Sequence, residues 1–249
     1  MAFMTDPAAA AAAHAPHSES PEADGSIAVY TMWAVFRRVP APAGAGSTAP
    51  DADAATELEQ AIARVEEAGV TVRGIYDVSG FKADADLMFW LHGADPAALQ
   101  AGLRTLRRTA LVAGLAPHWN YMAVHREAEF NKRHVPAFVR GVAPRDWISV
   151  YPFIRSREWY LLPDEDRSRM LAEHGRRGAQ FRGILSNTVA AFALGDYEWV
   201  VPIESDSLTE ITDMMRALRY VDARLHVVLE TPFFTGHRIT AAEAVEVVS

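Results

Sequence analysis

The chain contains no cysteine. Disulfides, thiolate metal ligands, iron–sulfur clusters and covalently attached c-type haem are therefore excluded. No apolar run approaches the ~20 residues that a membrane-spanning helix needs. The N-terminus also lacks the basic start and apolar core of a secretory signal. Cationic charge is short as well: 24 Lys and Arg against 32 Asp and Glu leave a net charge of -8. The resulting pI near 5.6 gives none of the basic footprint of a nucleic-acid binder. These absences point to a reduced, cytoplasmic protein with neither nucleic-acid nor membrane partners. Several chemical signatures are missing too. There is no H-x-x-x-H or H-E-x-x-H, no G-x-G-x-x-G or Walker loop, and no G-x-S-x-G elbow. Zinc hydrolysis, nucleotide-phosphate binding and serine acyl transfer lose their usual carriers.

What is present is a 249-residue chain, half hydrophobic and 22% charged, the balance of a soluble globular protein. Residues 1–25, rich in Ala, Pro, His and Ser, are expected to be a disordered tail. His14 and His17 lie there, more readily solvated than metal-binding. From Ile27 the pattern alternates between β-branched, aromatic runs and helical spacings. IAVYTMWAVFRR predicts a strand, and Leu58, Ile62 and Val65 predict a helix closed by Gly69. VTVRGIYDVSG and ADLMFWLHG predict two strands, Asp95-Pro96 caps a second helix reaching about Val112, and HWNYMAVHR predicts a fourth strand. This β-α-β-β-α-β order is the ferredoxin-like unit.

The order then recurs. DWISVYPFIRS predicts a strand, residues 163–181 a helix, and GILSNTVAAFAL with DYEWVVPIES a hairpin around Gly195-Asp196. Ser207 caps a helix carrying Leu208, Ile211, Met215 and Leu218, and ARLHVVLETPFFTG predicts the last strand. The expected organisation is a tail at 1–25, an N-terminal half at 26–126, a connection at 127–145, a C-terminal half at 146–238 and a C-terminal tail at 239–249. The fold class is α+β: tandem ferredoxin-like repeats whose sheets face each other as a dimeric α/β barrel.

The helix at 163–181 draws attention to chemistry. Asp164, Glu165 and Asp166 open it, while Arg176 and Arg177 lie near its end, both suited to the helix dipole. Met170, His174 and Phe181 share one face. A histidine on such a face is either a hydrogen-bonded core residue or a ligand. Gly175 and Gly178 cost helix stability and suit a backbone approached by something flat. Nearby Tyr, Trp and Arg residues are the mixture a carboxylate-bearing macrocycle requires. Trp33, Trp90, Trp119, Trp147 and Trp199 fit core packing equally well.

The run YPFIRSREWYLL, then MLAEHGRRG, then TPFFTGHR resembles the chlorite dismutase-like superfamily, and within it the actinobacterial type of coproheme decarboxylase. The resemblance spans residues 27–238. It implies a homo-oligomer, usually a pentamer, whose C-terminal half binds iron coproporphyrin III (coproheme). It implies hydrogen peroxide-dependent decarboxylation of two of the four propionates to vinyls, giving haem b. By the same resemblance His174 is the proximal iron ligand and Tyr151 the tyrosine oxidised to a radical. Arg155 is a basic group near the propionates, Trp159 a pocket tryptophan, and His134 the distal base that deprotonates peroxide. Chlorite-decomposing relatives carry a distal arginine that aligns with Ala223, leaving Arg224 for propionate or structural contacts. Ser186, and more weakly Asn187, Tyr121 and Arg238, are candidates for the carboxylate rim. A chlorite dismutase or haem peroxidase, or a non-catalytic haem-delivery protein, are the competing readings.

Overall fold

The computed structural model describes residues 28–39, 53–125 and 135–249. The expected N-terminal tail, with His14 and His17, and the distal candidate His134 lie outside these residues.

The first half is β1 (Val29–Arg38), α1 (Asp53–Glu67), β2 (Val70–Asp77), β3 (Leu87–Gly93), α2 (Pro96–Leu106), α3 (Ala110–Ala113) and β4 (Leu115–His125). Asp95 caps α2 by accepting from the Ala97 amide at 2.9 Å. The single helix expected through Val112 is two helices. Thr109 terminates the first by donating its hydroxyl to the Leu106 carbonyl at 2.7 Å. The second half is β5 (Trp147–Arg155), α4 (Asp164–Gly178), β6 (Leu185–Ser186), β7 (Val189–Ala190), β8 (Trp199–Ser205), α5 (Leu208–Ala217), β9 (Val227–Leu229), β10 (Phe234–Ile239) and α6 (Ala241–Val248).

Within each half the strands follow one order. It is β4-β1-β3-β2 in the first half and β10-β5-β8-β7 in the second, and the halves join through β2–β10 and β4–β7. Because β5 also pairs with β8, the ring closes, and among the described residues the free edges are at β6 and β9. Alternation along the strands sorts side chains into layers. Trp33, Val35, Met88, Trp90, Ile148, Val150 and Val200 fill the barrel interior. Met32, Ala34, Phe36, Phe89 and Leu91 pack outward with α1 and α2. Tyr151, Val201 and Ile203 face outward with Ile211 and Met214 of α5. Strands buried on both faces explain why their sequences are nearly continuous apolar runs.

Three expectations are corrected. The hairpin at 183–205 exists, but its first arm is split into β6 and β7. The register is continuous across the gap. Asn187 lies opposite Pro202, which has no amide to donate, so the ladder is interrupted there. The single last strand becomes a 3₁₀ turn (Asp222–His226), β9 and β10; Pro232 separates the two strands. The C-terminal tail expected at 239–249 is the end of β10 followed by α6. Thr240 and Glu243 form a capping box, and Ala241 and Ala244 are buried against the α1 core.

A buried ion pair ties the halves together. Arg73 of β2 donates to Glu204 of β8 at 2.9 Å, with both side chains almost inaccessible. Asn187 donates to the same carboxylate at 3.0 Å and accepts from the Phe138 amide. Asn187 is thus engaged in the barrel's interior network rather than at a rim.

Candidate functional site

On β5, Tyr151, Phe153 and Arg155 occupy alternate positions and so point to one face. A register shift where β5 meets β9 places the extra residue, Val228, on β9. The phase of β5 is preserved, and Arg155 stays on the face of Tyr151. Tyr151 is buried, stacks on Phe233 at 4.5 Å between ring centroids, and points its hydroxyl at the Met215 sulfur 3.6 Å away. Burial raises its pKa well above the ordinary phenol range. Glu230 adds to that rise, while Arg219, Arg224 and Arg155 oppose it. The phenol therefore stays protonated at neutral pH.

Arg155 lies 4.2 Å from the ring centroid of the buried Trp159 and 5.1 Å from that of Phe153. Its guanidinium donates to the carbonyl of Ala223 at 3.0 Å. One donor used and two aromatic faces covered leave most of the fork for a carboxylate. Trp159 sits on the 3₁₀ turn that follows β5 and packs on His226.

Arg224 is 3.4 Å from Glu230, which also pairs with Arg219. Ala223 is buried and offers its carbonyl to Arg155. In α4 the buried side chains are Arg167 and Met170, whereas the His174 ring is accessible to water. That corrects the expectation of an apolar face continuing through His174: the helix turns this residue out of the core. Burial holds its pKa below 6.5, with Arg155 lowering it further and Glu230 raising it. Among the described residues His174 makes no hydrogen bond or ion pair. Tyr151 and His174 thus feel two of the same charged groups, Arg155 and Glu230, from a strand and a helix of one half.

Ser186 pairs with Ile203, a neighbour of Tyr151 in the same outward cluster. Tyr121 packs inside the barrel, where its hydroxyl is bound to Tyr197. Arg238 lies on β10 opposite Tyr76, in the seam between halves. The structure does not bring these last two to the Tyr151 cluster. Arg219, Glu230, Glu198 and Phe233 belong to its surroundings and escaped sequence reasoning. They lie 43 or more residues from the β5 positions they serve, and no spacing rule links them.

A barrel of two ferredoxin-like halves carries, on the outer face of its second sheet, a phenol and three arginines beside an accessible histidine. Fold and site together define a chlorite dismutase-like barrel protein. Residues 51–239 match the chlorite dismutase family, and the chain belongs to that family. It is 50% identical to a coproheme decarboxylase of Mycolicibacterium smegmatis, over 85% of this chain and 90% of that one. A coproheme decarboxylase of Thermus thermophilus is 27% identical over 69% of this chain and 73% of its own length. The fold matches the chlorite dismutase of Candidatus Nitrospira defluvii in complex with imidazole at a TM-score of 0.68. That pair is 19% identical and covers 88% of this chain and 94% of that one.

Proposed function

We propose that this protein is a coproheme decarboxylase, converting two propionates of iron coproporphyrin III to vinyls with hydrogen peroxide and giving haem b. The observation that carries the reading is the convergence of Tyr151, Arg155 and Trp159 on β5 and its following turn with His174 on α4. It is supported by the 50% identity to a relative of that name.

The donor set fits an iron porphyrin. Among the described residues no group of three or more His, Cys, Asp or Glu could hold a metal ion, so a lone imidazole suits an iron whose other ligands come from a macrocycle. His174 is kept neutral and unbonded, as a ligand nitrogen must be. A Cβ at Gly175 or Gly178 would meet no atom within 4 Å beyond its own stretch of helix, so packing against the rest of the chain does not dictate glycine there. Both positions leave room for a flat substrate beside the helix.

Each decarboxylation is a two-electron oxidation. A propionate, a peroxide and a proton give a vinyl group, carbon dioxide and two waters. The bound iron supplies the redox chemistry with peroxide. Tyr151, buried and protonated, would give an electron to the oxidant that iron and peroxide supply and its proton to solvent, then take a hydrogen atom from the propionate chain. The radical left on that chain would release carbon dioxide and pass a second electron to the same oxidant. Arg155, backed by Trp159, holds that carboxylate. Arg224 holds another once it exchanges its partner Glu230 for substrate, and Ser186 contributes at the rim. His134 serves as the base for peroxide, an imidazole of ordinary pKa near 6.5 being matched to that task. The protein acts as a homo-oligomer, in keeping with the large apolar side chains of Leu161, Tyr220, Leu225 and Val228 left exposed on the single chain. Incubation with ferric coproporphyrin III and peroxide, followed by product masses, tests the reading.

A further inference from the structure

The antiparallel ladder between β5 and β8 ends at Phe153 and Trp199. Continuing that register would set Ile154 beside Glu198 and Arg155 beside Tyr197. Instead, the Glu198 side chain turns toward β5. Its Oε2 accepts from the Arg155 backbone amide at 2.8 Å and from the Tyr160 hydroxyl at 2.8 Å. The Tyr160 oxygen in turn accepts from the Trp199 indole at 3.2 Å. A side-chain carboxylate has taken the place of the missing ladder carbonyl, at the residue whose side chain faces the substrate. Charge-assisted bonds of this kind are stronger than the neutral bonds they replace. On the other edge of β5, β9 carries its bulge at this same level. Bulges re-aim side chains but disrupt the local ladder. Without Glu198, the Arg155 backbone would lack a fixed partner on the β8 side.

We propose that Glu198 is a positioning residue for carboxylate recognition: it locks the Arg155 main chain and the Tyr160 ring so that the Arg155 guanidinium meets the substrate in one pose. Glu198 does not touch the substrate. It acts through Arg155, whose own side chain is fixed, among the described residues, by the Ala223 carbonyl and two aromatic rings. The inference rests on the porphyrin-binding reading given above, and extends it to a residue outside the binding surface.

The distinguishing property is reach rather than charge. Both bonds fall on one carboxylate oxygen, so E198Q, whose amide keeps an oxygen in the same place, preserves the arrangement. E198D keeps the charge but draws the oxygen back by one methylene and loses it. The experiment measures the affinity of wild-type and variant proteins for metal-free coproporphyrin III by quenching of intrinsic tryptophan fluorescence. E198A and E198D are expected to bind about tenfold more weakly, the scale of a lost charge-assisted hydrogen bond, and E198Q within about threefold of wild type. In an R155A background E198A adds no further loss, since positioning a missing side chain has no value. Three results overturn the inference alone: E198D binding like wild type, E198Q binding as weakly as E198A, or E198A weakening R155A as much as it weakens wild type. Failure of the wild-type protein to bind this porphyrin overturns the functional reading, and this inference with it.

Discussion

The guanidinium of Arg155 stacks 4.2 Å from the ring centroid of Trp159 while donating to the Ala223 carbonyl. A flat cation held between a ring and a carbonyl is a rigid carboxylate receptor, and replacing it by a flexible cation is not conservative. Arg155→Ala is expected to weaken coproporphyrin III binding at least about tenfold, the cost of one charge-assisted contact. Arg155→Lys recovers charge but neither stacking nor fork, and regains only part of the loss. Fluorescence titration checks both; full affinity in the lysine variant would show that charge alone suffices.

Tyr151 is buried, and among the described residues its hydroxyl meets the Met215 sulfur. Tyr151→Phe keeps the ring stacked on Phe233 and removes only the oxidisable group. The variant is expected to bind coproheme like wild type and to lose turnover by roughly 100-fold or more, the pattern of a group needed only in the reaction. Stopped-flow mixing with peroxide separates the two quantities. Undiminished turnover would remove the radical role.

His174 makes no other bond among the described residues, so its removal should abolish the axial-ligand absorption of bound ferric porphyrin. Because Arg155, Arg224 and Trp159 remain, His174→Ala is expected to retain metal-free coproporphyrin III with affinity within about threefold of wild type. Parallel titrations with the iron-bearing and iron-free porphyrins test this split. Equal loss of both would make His174 a structural residue.

His92 tests the barrel's pH dependence. Burial, with the nearby charge of Arg73, lowers its pKa from 6.5 to about 4. A histidine whose folded pKa is depressed is neutral in the fold but protonated in the unfolded chain between those values. Stability is therefore complete above pH 6.5 and is lost as pH falls toward 4. The contribution amounts to at most about 2 kcal/mol between pH 7 and pH 5. Denaturation of wild type and His92→Gln at these two pH values checks the sign: the variant should lose less stability on acidification.

Glu204 is sealed against Arg73 in the wall shared by the two halves. Glu204→Ala strands a buried guanidinium, for which the expected destabilisation is about 3–5 kcal/mol. Thermal unfolding measures it. A shift of less than a degree or two would mean that water reaches Arg73 in the variant.

The two halves were legible because period-two and helical patterns repeat in the same order, and because Asp95 and Ser207 sit where caps belong. Thr240 and Glu243 carried an equally plain capping signal. It lies in the stretch expected to be a C-terminal tail. Pro202 could have foretold the interruption of its partner strand, but only once the register was known. In the site, the resemblance pointed to Tyr151 and Arg155, and strand alternation, which the bulge on β9 left intact, keeps them on one face. Helical spacing put His174 on a face with Met170 and Phe181, yet could not tell that Met170 is buried while His174 is exposed. Glu198, Arg219 and Glu230 reach the site across the sheet and from the turn after α5. Contacts of that kind depend on tertiary register and leave no local periodicity.

The central claim is that this site oxidises the propionates of coproheme. The most direct measurement incubates the purified protein with ferric coproporphyrin III and hydrogen peroxide and follows porphyrin masses with time. The account predicts a protein-dependent three-propionate species that rises and falls as haem b accumulates. An unchanged porphyrin, or ring bleaching without decarboxylated products, would contradict it.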